Sequence, residues 1–219
     1  MNQRALSFVD ARRQICQRCW RPQRVCICQW IVNITPLVEL VILQHPLEVK
    51  QAKGSARLLH LSLNGSQMQT GEFFDDVTLR GLLHVAGKTS VLLYPEFFDT
   101  QEDLMRKPPK LVPEMLLPLS DVRLIVLDGT WRKSRKMLYL NPLLQALPRL
   151  SLSNMPATHY RIRKAHCTDQ LSTLEASCYA LMQLEQNSEK YFPLLSAFDG
   201  FIGQQMELMH RDEEPKTAD

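Results

Sequence analysis

The fold is decided by the stretch Val122-Arg-Leu-Ile-Val-Leu-Asp128-Gly-Thr-Trp131-Arg-Lys-Ser-Arg-Lys-Met137. Its first six residues are apolar except for Arg123, which is typical of a largely buried strand, and residues Lys133–Tyr139 favour a helix. An acid, a glycine, a hydroxyl and an indole therefore stand where a strand ends and a helix begins. Ligands of α/β proteins usually bind at that edge of the sheet.

Positive charge is concentrated in two segments, although the net charge of the 219 residues is only +3. Residues 1–30 carry six Arg and one Asp, and residues 128–166 carry eight basic residues and one acidic residue. The second segment includes Arg132, Lys133, Arg135 and Lys136, directly after the Asp-Gly-Thr-Trp run. An acid beside dense positive charge indicates chemistry on a polyanion, so we expect nucleic-acid binding. The alternative is that the charged runs are only solvated faces.

The order of apolar and amphipathic segments predicts an α/β domain with a mostly parallel sheet. Further strands are predicted at Leu37–Leu43, Thr89–Tyr94 and Pro148–Leu152. Helices are predicted at Lys53–Leu61, Gly81–Val85, Thr173–Gln186 and Pro193–Met209. We predict a zinc-binding segment over residues 1–35, a catalytic domain over residues 36–210 and a charged, disordered tail over residues 211–219.

Composition limits the class of protein. The hydrophobic fraction of 45% is enough for a sizeable core. No apolar stretch approaches the roughly 18 residues that a membrane span needs, and no secretory signal is visible at the N-terminus. We therefore expect a cytoplasmic protein without membrane association, and the sequence gives no reason to infer an obligate protein partner.

Four of the six cysteines fall within thirteen residues, with the spacing C-x2-C-x6-C-x-C: Cys16, Cys19, Cys26 and Cys28. Disulfides are rare in the cytosol, and four thiolates satisfy tetrahedral zinc, so a structural zinc site is predicted. The short C-x-C return leaves open that a distant histidine replaces one thiolate. A reduced cluster without metal is the other alternative. Bound metal would hold Arg18, Trp20, Arg21 and Arg24 on a rigid knuckle, where they suit phosphate contact and base stacking.

Six ordered blocks between residues 16 and 180 resemble the DTW-domain family. The signature Asp-x-Thr-Trp is matched by Asp128, Gly129, Thr130 and Trp131. The other blocks are the cysteine cluster, His45-Pro46-Leu47-Glu48, Tyr94-Pro95, Tyr160-Arg161-Ile162-Arg163-Lys164 and Leu171-Ser172-Thr173-Leu174-Glu175-Ala176. The resemblance implies transfer of a 3-amino-3-carboxypropyl group from S-adenosylmethionine to a uridine of tRNA. It also implies a fold related to the knotted SPOUT methyltransferases, with a C-terminal trefoil knot.

The motif residues are the predicted catalytic group. Asp128 is expected to act as a general base or to orient the nucleophile, and its alternative role is a helix N-cap. Thr130 caps the helix or binds the cofactor carboxylate. Trp131 is either a core aromatic or a stacking platform. Predicted contacts with S-adenosylmethionine come from Glu48, Pro95, Leu127, Gly129, Ser172, Thr173 and Glu175, where the last three have plain helix capping as the alternative and Glu48 a surface acid.

Basic and aromatic residues outside the motif are predicted to bind RNA. They are Arg18, Arg21, Arg132, Lys133, Tyr160, Arg161, Arg163 and Lys164. The function that these patterns favour is aminocarboxypropyl transfer to N3 of a tRNA uridine, with the variable loop favoured by family analogy. An RNA methyltransferase of the same fold and a non-catalytic zinc-containing RNA-binding module are the alternatives.

Overall fold

The computed structural model describes residues 14–95, 107–152 and 171–213. Within them, five strands form one sheet in which every neighbouring pair is parallel. The strands are β1 (Glu39–Gln44), β2 (Gln67–Thr70), β3 (Thr89–Leu93), β4 (Val122–Asp128) and β5 (Arg149–Leu150). Their spatial order is β2-β1-β4-β3-β5, so β4 lies at the centre. The predicted α/β class and the parallel sheet are confirmed.

Burial of β4 explains why its sequence is nearly continuous in apolar residues. All seven of its residues are buried, and its one cation, Arg123, is neutralised inside the sheet. The Arg123 guanidinium donates to Oε2 of Glu39 on β1 from Nε at 3.0 Å and from Nη2 at 2.6 Å, and also to the carbonyl of Leu82 at 2.6 Å. A charge can remain buried because its donors are satisfied in this way.

Helices cover both faces of the sheet. Along β1 and β4, alternate residues point to opposite sides, as the two-residue period of a strand requires. Leu40, Ile42, Leu124 and Val126 belong to one apolar cluster and Val41, Leu43, Ile125 and Leu127 to the other. The first cluster includes side chains from α1 (Ala56–Ser62), α5 (Thr173–Glu185) and α6 (Phe192–Glu213). The second includes side chains from α2 (Asp76–Leu83), α3 (Trp131–Leu140) and α4 (Pro142–Gln145).

The cysteine-bearing segment shares the first of these cores. Cys19, Ile27 and Ile34 are buried within it. Trp30 lies across α6: its Nε1 donates to Oε1 of Gln204 at 2.6 Å, and a Cβ at Gly200 would overlap the indole ring. The segment is therefore anchored to the sheet domain by packing, while the domain boundary after residue 35 stays a prediction.

Most predicted elements lie within a few residues of the observed ones, and the differences are at helix ends. Helix α2 begins at Asp76 instead of Gly81, because Asp75 caps it by accepting a hydrogen bond from the Thr78 amide at 2.9 Å. Helix α3 begins at Trp131, two residues before its predicted start. Helix α6 continues to Glu213, three residues into the predicted tail.

Some predictions fall on residues 1–13, 96–106, 153–170 and 214–219, which lie outside the described residues. They include the rest of the tail and the RNA-binding residues Tyr160, Arg161, Arg163 and Lys164. The trefoil knot stays a prediction as well, since the chain between Leu152 and Leu171 is not described. No helix in the described parts of the chain is long and apolar enough to cross a membrane.

Candidate active site

Asp128 is the last residue of the central strand, and its carboxylate is buried between two neighbouring elements. It lies opposite Gln44, the last residue of β1, in the parallel register. The Gln44 side-chain amide donates to Oδ2 of Asp128 at 2.9 Å. The Thr173 hydroxyl, from the first turn of α5, donates to Oδ1 at 2.6 Å. Each carboxylate oxygen thus accepts one hydrogen bond, which fixes the carboxylate and leaves further lone pairs available.

Burial raises the pKa of Asp128 above the ordinary value of an aspartate. Desolvation disfavours the charged form and is the largest cause. The hydrogen bonds from Thr173 and Gln44 act in the opposite direction, as does the positive charge of Lys133, whereas the charge of Glu48 raises the pKa further. The result is a carboxylate that is more basic than a surface aspartate and is held in one orientation.

The structure does not use Asp128 as a helix cap. The N-cap of α3 is Thr130, and the Asp128 oxygens bond to Gln44 and Thr173 instead of to amides of the helix. Thr130 is exposed and its side chain makes no capping hydrogen bond. Leu127 and Gly129, on either side of Asp128, are packed closely: Leu127 is buried in the second core, and a Cβ at Gly129 would come within 3.1 Å of the Lys133 Cβ. Gly129 thus allows the strand to turn directly into the helix.

Trp131 forms an aromatic wall with Tyr94 on the β3 side of Asp128. The two ring centroids are 5.7 Å apart in an edge-to-face arrangement, and Tyr94 is buried. The Arg149 guanidinium lies 5.5 Å from the Tyr94 ring centroid and donates to the carbonyl of Pro95 at 3.1 Å. Because 46% of Trp131 is exposed, its indole is available to a ligand, and the alternative of a core aromatic is excluded.

The N-terminus of α5 is capped by its own side chains. Ser172 and Glu175 form a capping box, with the Glu175 amide donating to the Ser172 hydroxyl at 3.2 Å and the Ser172 amide to Oε2 of Glu175 at 2.9 Å. The Leu174 amide donates to the Ser55 hydroxyl at 3.3 Å. These contacts show that Ser172 and Glu175 cap the helix, and the cofactor role predicted for them stays a prediction. Thr173 differs, since its hydroxyl is directed at Asp128.

Two ion pairs join α3 to the loops that follow β1 and β2. Lys133 Nζ is 2.7 Å from Oε1 of Glu48, and Lys136 Nζ is 2.9 Å from Oε2 of Glu72. His45 Nδ1 accepts a hydrogen bond from the Leu47 amide at 3.1 Å, so its Nε2 carries the proton that it shares with Glu72 at 2.9 Å. Lys133 and Glu48 thus form an ion pair with each other, whereas Arg132 is exposed. The sequence analysis assigned no role to His45, Gln44 or Glu72. Gln44 could have been found, because it ends a predicted strand and the ends of parallel strands meet at the same edge of a sheet.

The four clustered cysteines have the arrangement of a tetrahedral metal site. Their Sγ atoms all lie within 4.8 Å of one another, with Cys16 and Cys28 3.5 Å apart and Cys19 and Cys26 3.7 Å apart. Zn–S bonds of about 2.3 Å place tetrahedral sulfurs roughly 3.8 Å apart, so the cluster fits zinc. Backbone amides of Cys19 and Arg18 donate to Cys16 and lower its thiol pKa to about 6, which favours the thiolate that a metal binds. Among described residues, no histidine joins this group.

A cavity of about 320 Å³ lies between the cysteine cluster and the ends of β1 and β2. Gln44 and Thr70 line it from the strand ends, and Trp20 and Arg57 line it from the knuckle and from α1. Gln44 connects the cavity to the catalytic candidate, because the same amide donates to Asp128. The central carboxylate therefore has the aromatic wall on its β3 side and this cavity on its β1 side.

The DTW domain model matches residues 13–206. The chain belongs to the DTW domain family. The Asp-Gly-Thr-Trp run that carries the resemblance, Asp128 to Trp131, lies within this match, at the turn between the central strand and α3. No solved structure matches the chain.

Proteins named tRNA-uridine aminocarboxypropyltransferase 2 are similar to this DTW-domain chain. The Mus musculus protein is 30% identical over 187 residues, and the Macaca fascicularis protein 31% over 185 residues. Each alignment covers 81% of this chain and 58% of the mammalian protein. The Drosophila melanogaster protein is 30% identical over 186 residues, which cover 81% of this chain and 69% of that protein. The chain thus spans less than two thirds of the mammalian relatives.

The basic residues predicted to bind RNA differ in whether they are exposed or engaged in contacts within the chain. Arg18 and Arg132 are exposed. Arg21 is half-buried and structural: its guanidinium donates to the carbonyls of Ala52 at 2.6 Å and Gly54 at 3.0 Å, and it lies 5.1 Å from the Phe201 ring centroid. The donors of Arg21 thus hold the loop before α1, and the RNA-binding role predicted for Arg21 stays a prediction.

Proposed function

We propose that this DTW-domain protein is a tRNA-modifying enzyme that transfers the 3-amino-3-carboxypropyl group of S-adenosylmethionine to N3 of a uridine, in the variable loop. The names of its relatives support the reaction and the class of substrate. The aminocarboxypropyltransferase name of these relatives also supports S-adenosylmethionine as the donor. A fold related to the knotted SPOUT methyltransferases and a cytoplasmic location belong to the same proposal.

The observation that carries the proposal is the buried, oriented carboxylate of Asp128 at the carboxyl end of the central strand. A binding module has no need for a desolvated carboxylate inside a basic segment, since burial makes the charged form costly. Here two hydrogen bonds from separate elements, Gln44 on β1 and Thr173 on α5, stabilise the charged form of the Asp128 carboxylate. Functional sites are where such perturbed groups accumulate.

The proposed reaction forms a bond between uridine N3 and the γ-carbon of the transferred group. The bond from that carbon to sulfur breaks, its electron pair returns to sulfur, and neutral methylthioadenosine leaves. The N3 proton has to depart, because the protonated nitrogen is a poor nucleophile. Asp128 accepts the hydrogen bond from N3–H and takes the proton as the new bond forms, and its raised pKa makes it a better acceptor.

Neighbouring side chains hold the reactants. Gln44 and Thr173 keep the carboxylate in place, and Gly129 brings the motif close to His45 and Lys133. The exposed face of Trp131 offers a stacking surface for a base, backed by Tyr94. Lys133 and Glu48 close one side of the site as a partly buried ion pair, which keeps a positive charge near Asp128.

We also propose that Cys16, Cys19, Cys26 and Cys28 hold one zinc ion with a structural role. Four thiolates complete the coordination shell, which leaves no open position for a substrate. The metal would fix the knuckle that carries Trp20 and Arg18 beside the sheet edge. The basic segments around the motif supply the charge that tRNA phosphates require.

The experiment that tests this function is mass spectrometry of tRNA nucleosides after incubation with protein and S-adenosylmethionine. Aminocarboxypropyl-uridine together with methylthioadenosine supports the proposal. Methylated uridine together with S-adenosylhomocysteine would identify a methyltransferase instead. Absence of both products, with tRNA binding intact, would leave a zinc-containing RNA-binding module.

A further inference from the structure

Trp20 has a backbone conformation that is costly for a tryptophan. Its φ is 58°, in the left-handed region that glycine occupies most readily. The conformation is imposed by a tight loop: the Trp20 amide donates to the Cys16 carbonyl at 2.9 Å, and the Cys16 amide donates to the Arg21 carbonyl at 2.8 Å. Glycine would satisfy this loop with less strain, so the presence of an indole requires another reason.

Packing does not provide that reason. Trp20 is 65% exposed, more than any other tryptophan in the described residues. Its ring forms part of the wall of the 320 Å³ cavity beside the ends of β1 and β2. Burial does not offset the backbone strain of Trp20, and Trp20 borders a cavity. This combination indicates that the indole is kept for contact with a ligand.

Arg57, which also lines the cavity, is a cation without a partner among the described residues. Arg21, the other basic residue that lines the cavity, donates to the carbonyls of Ala52 and Gly54, and the lining carboxylate of Glu48 is paired with Lys133. Arg57 also lowers the pKa of the neighbouring His60, where burial is the larger cause. The cavity therefore combines an exposed aromatic face with an uncompensated positive charge.

We propose that this cavity binds one nucleotide of the RNA substrate, with its base stacked on Trp20 and its phosphate at Arg57. A volume of about 320 Å³ lies within the range of small-ligand sites. Stacking on an aromatic face and phosphate contact by arginine are the usual means by which proteins hold an unpaired nucleotide. The proposal rests on the proposed function for the identity of the RNA as tRNA, and it deepens that function by assigning a subsite.

The chemistry favours RNA over the adenosine part of S-adenosylmethionine as the occupant. The cofactor carries no phosphate for Arg57, and its sulfonium and amine leave it with a net positive charge despite its carboxylate, so an unpaired guanidinium disfavours it. The carboxylate of Glu48 on the cavity wall, which would have to receive the cofactor amine, is already paired with Lys133. The subsite also lies on the β1 side of Asp128, through Gln44, whereas Trp131 and Tyr94 lie on the β3 side. The two reactants can thus approach the carboxylate from opposite sides.

Trp20→Gly separates a ligand role from a structural one. We expect tRNA affinity, measured by fluorescence anisotropy without cofactor, to weaken roughly 5- to 150-fold, the range for loss of one stacked base. Thermal stability and zinc content should be unchanged or higher, because glycine relieves the left-handed strain. Trp20→Phe should restore most of the affinity. Phe73→Ala is the matched control, since Phe73 is 64% exposed and lies outside the cavity wall.

Arg57→Gln should weaken tRNA binding and reduce the slope of log affinity against log salt by about one phosphate contact. Arg80→Gln, which removes an exposed arginine of α2, should leave that slope unchanged. S-adenosylmethionine affinity, measured by calorimetry, should stay within about twofold for both Trp20→Gly and Arg57→Gln.

Three results would overturn the proposal. One is normal tRNA affinity with lower thermal stability in Trp20→Gly, which would make Trp20 structural. Another is a loss of S-adenosylmethionine affinity with normal tRNA affinity, which would assign the cavity to the cofactor. The third is the absence of tRNA binding by the unaltered protein. Because binding is measured without turnover, dependence on Trp20 and Arg57 would stand even if no modified nucleoside were found.

Discussion

The Thr173 hydroxyl donates a 2.6 Å hydrogen bond to Oδ1 of Asp128 across 45 residues of sequence. It joins the first turn of α5 to the end of the central strand, and it makes the orientation of the motif carboxylate depend on a helix from a distant part of the chain. Thr173 is therefore a positioning residue, and its removal should alter how the carboxylate titrates as well as how fast the reaction runs.

Thr173→Val replaces the hydroxyl with a methyl group of similar size. Asp128 then loses a hydrogen bond that opposes the effect of burial, so its pKa should rise further and the acidic limb of the rate profile should move to higher pH. The transfer rate at neutral pH should fall roughly tenfold, since a hydrogen bond to a charged group contributes about 1.5–3 kcal/mol. A pH profile of transfer measures both effects.

Ser177→Ala is the control for that substitution. Ser177 lies one turn further along α5, and its hydroxyl donates to the Thr173 carbonyl at 2.7 Å without touching Asp128. Its pH profile should match that of the unaltered protein. Equal profiles for Thr173→Val and Ser177→Ala would show that Thr173 does not control the titration of Asp128.

Gly129→Ala should disturb the motif although it adds one carbon only. The new Cβ would lie 3.1 Å from the Lys133 Cβ, so Lys133 or the turn must give by a few tenths of an ångström, while the His45 Cβ at 3.6 Å leaves little room for that adjustment. We expect the free energy of unfolding to fall by about 1–3 kcal/mol, as in other overpacked sites, and transfer to slow by roughly 10–100-fold. Gly81→Ala meets nothing within 4 Å on α2 and should instead stabilise by about 0.5–1 kcal/mol. Similar chemical-denaturation curves for the two variants would contradict the packing argument.

The predicted zinc site can be tested by substituting one of its four cysteines. Cys28→Ser should bring the zinc content of purified protein well below one equivalent per chain, because three thiolates no longer complete the site. The melting temperature should fall as well, since Ile27 and Cys19 are buried in the core of the sheet domain. Cys178→Ser, in the core but outside the cluster, should keep its zinc. Metal analysis that finds equal zinc in both variants would refute the site.

The central strand and its terminal acid could be predicted from sequence because β4 is buried on both faces, and a strand buried in this way is nearly continuous in apolar residues. The contacts that define Asp128 could not be predicted, since Thr173 reaches it through tertiary packing. Charge alone could not separate Arg21 from Arg18 either: the two side chains are identical, but Arg21 contacts loop carbonyls and the Phe201 ring. The start of α2 was missed because exposed Val77 breaks the apolar pattern, although Asp75 was a recognisable N-cap.

The stability of Asp128→Asn provides a test of the raised pKa. A group whose pKa is higher in the folded state than in the unfolded state favours folding in its protonated form, and that contribution is lost as the pH rises through the folded pKa. The neutral amide escapes this loss. The variant should therefore gain free energy of unfolding relative to the unaltered protein as the pH rises, and the difference should vanish in acid. A gain that appears only on acidification would contradict the predicted direction.

The most direct test of the account is the single-turnover rate of aminocarboxypropyl transfer by Asp128→Asn, with saturating tRNA and S-adenosylmethionine. The amide conserves the shape of the side chain and can keep its hydrogen bonds to Gln44 and Thr173 if the Gln44 amide rotates, but it cannot accept a proton. We expect the rate to fall about 10²–10⁴-fold with cofactor affinity nearly unchanged, which is the usual loss for a general base. A rate within about threefold of the unaltered protein would contradict the catalytic role of Asp128.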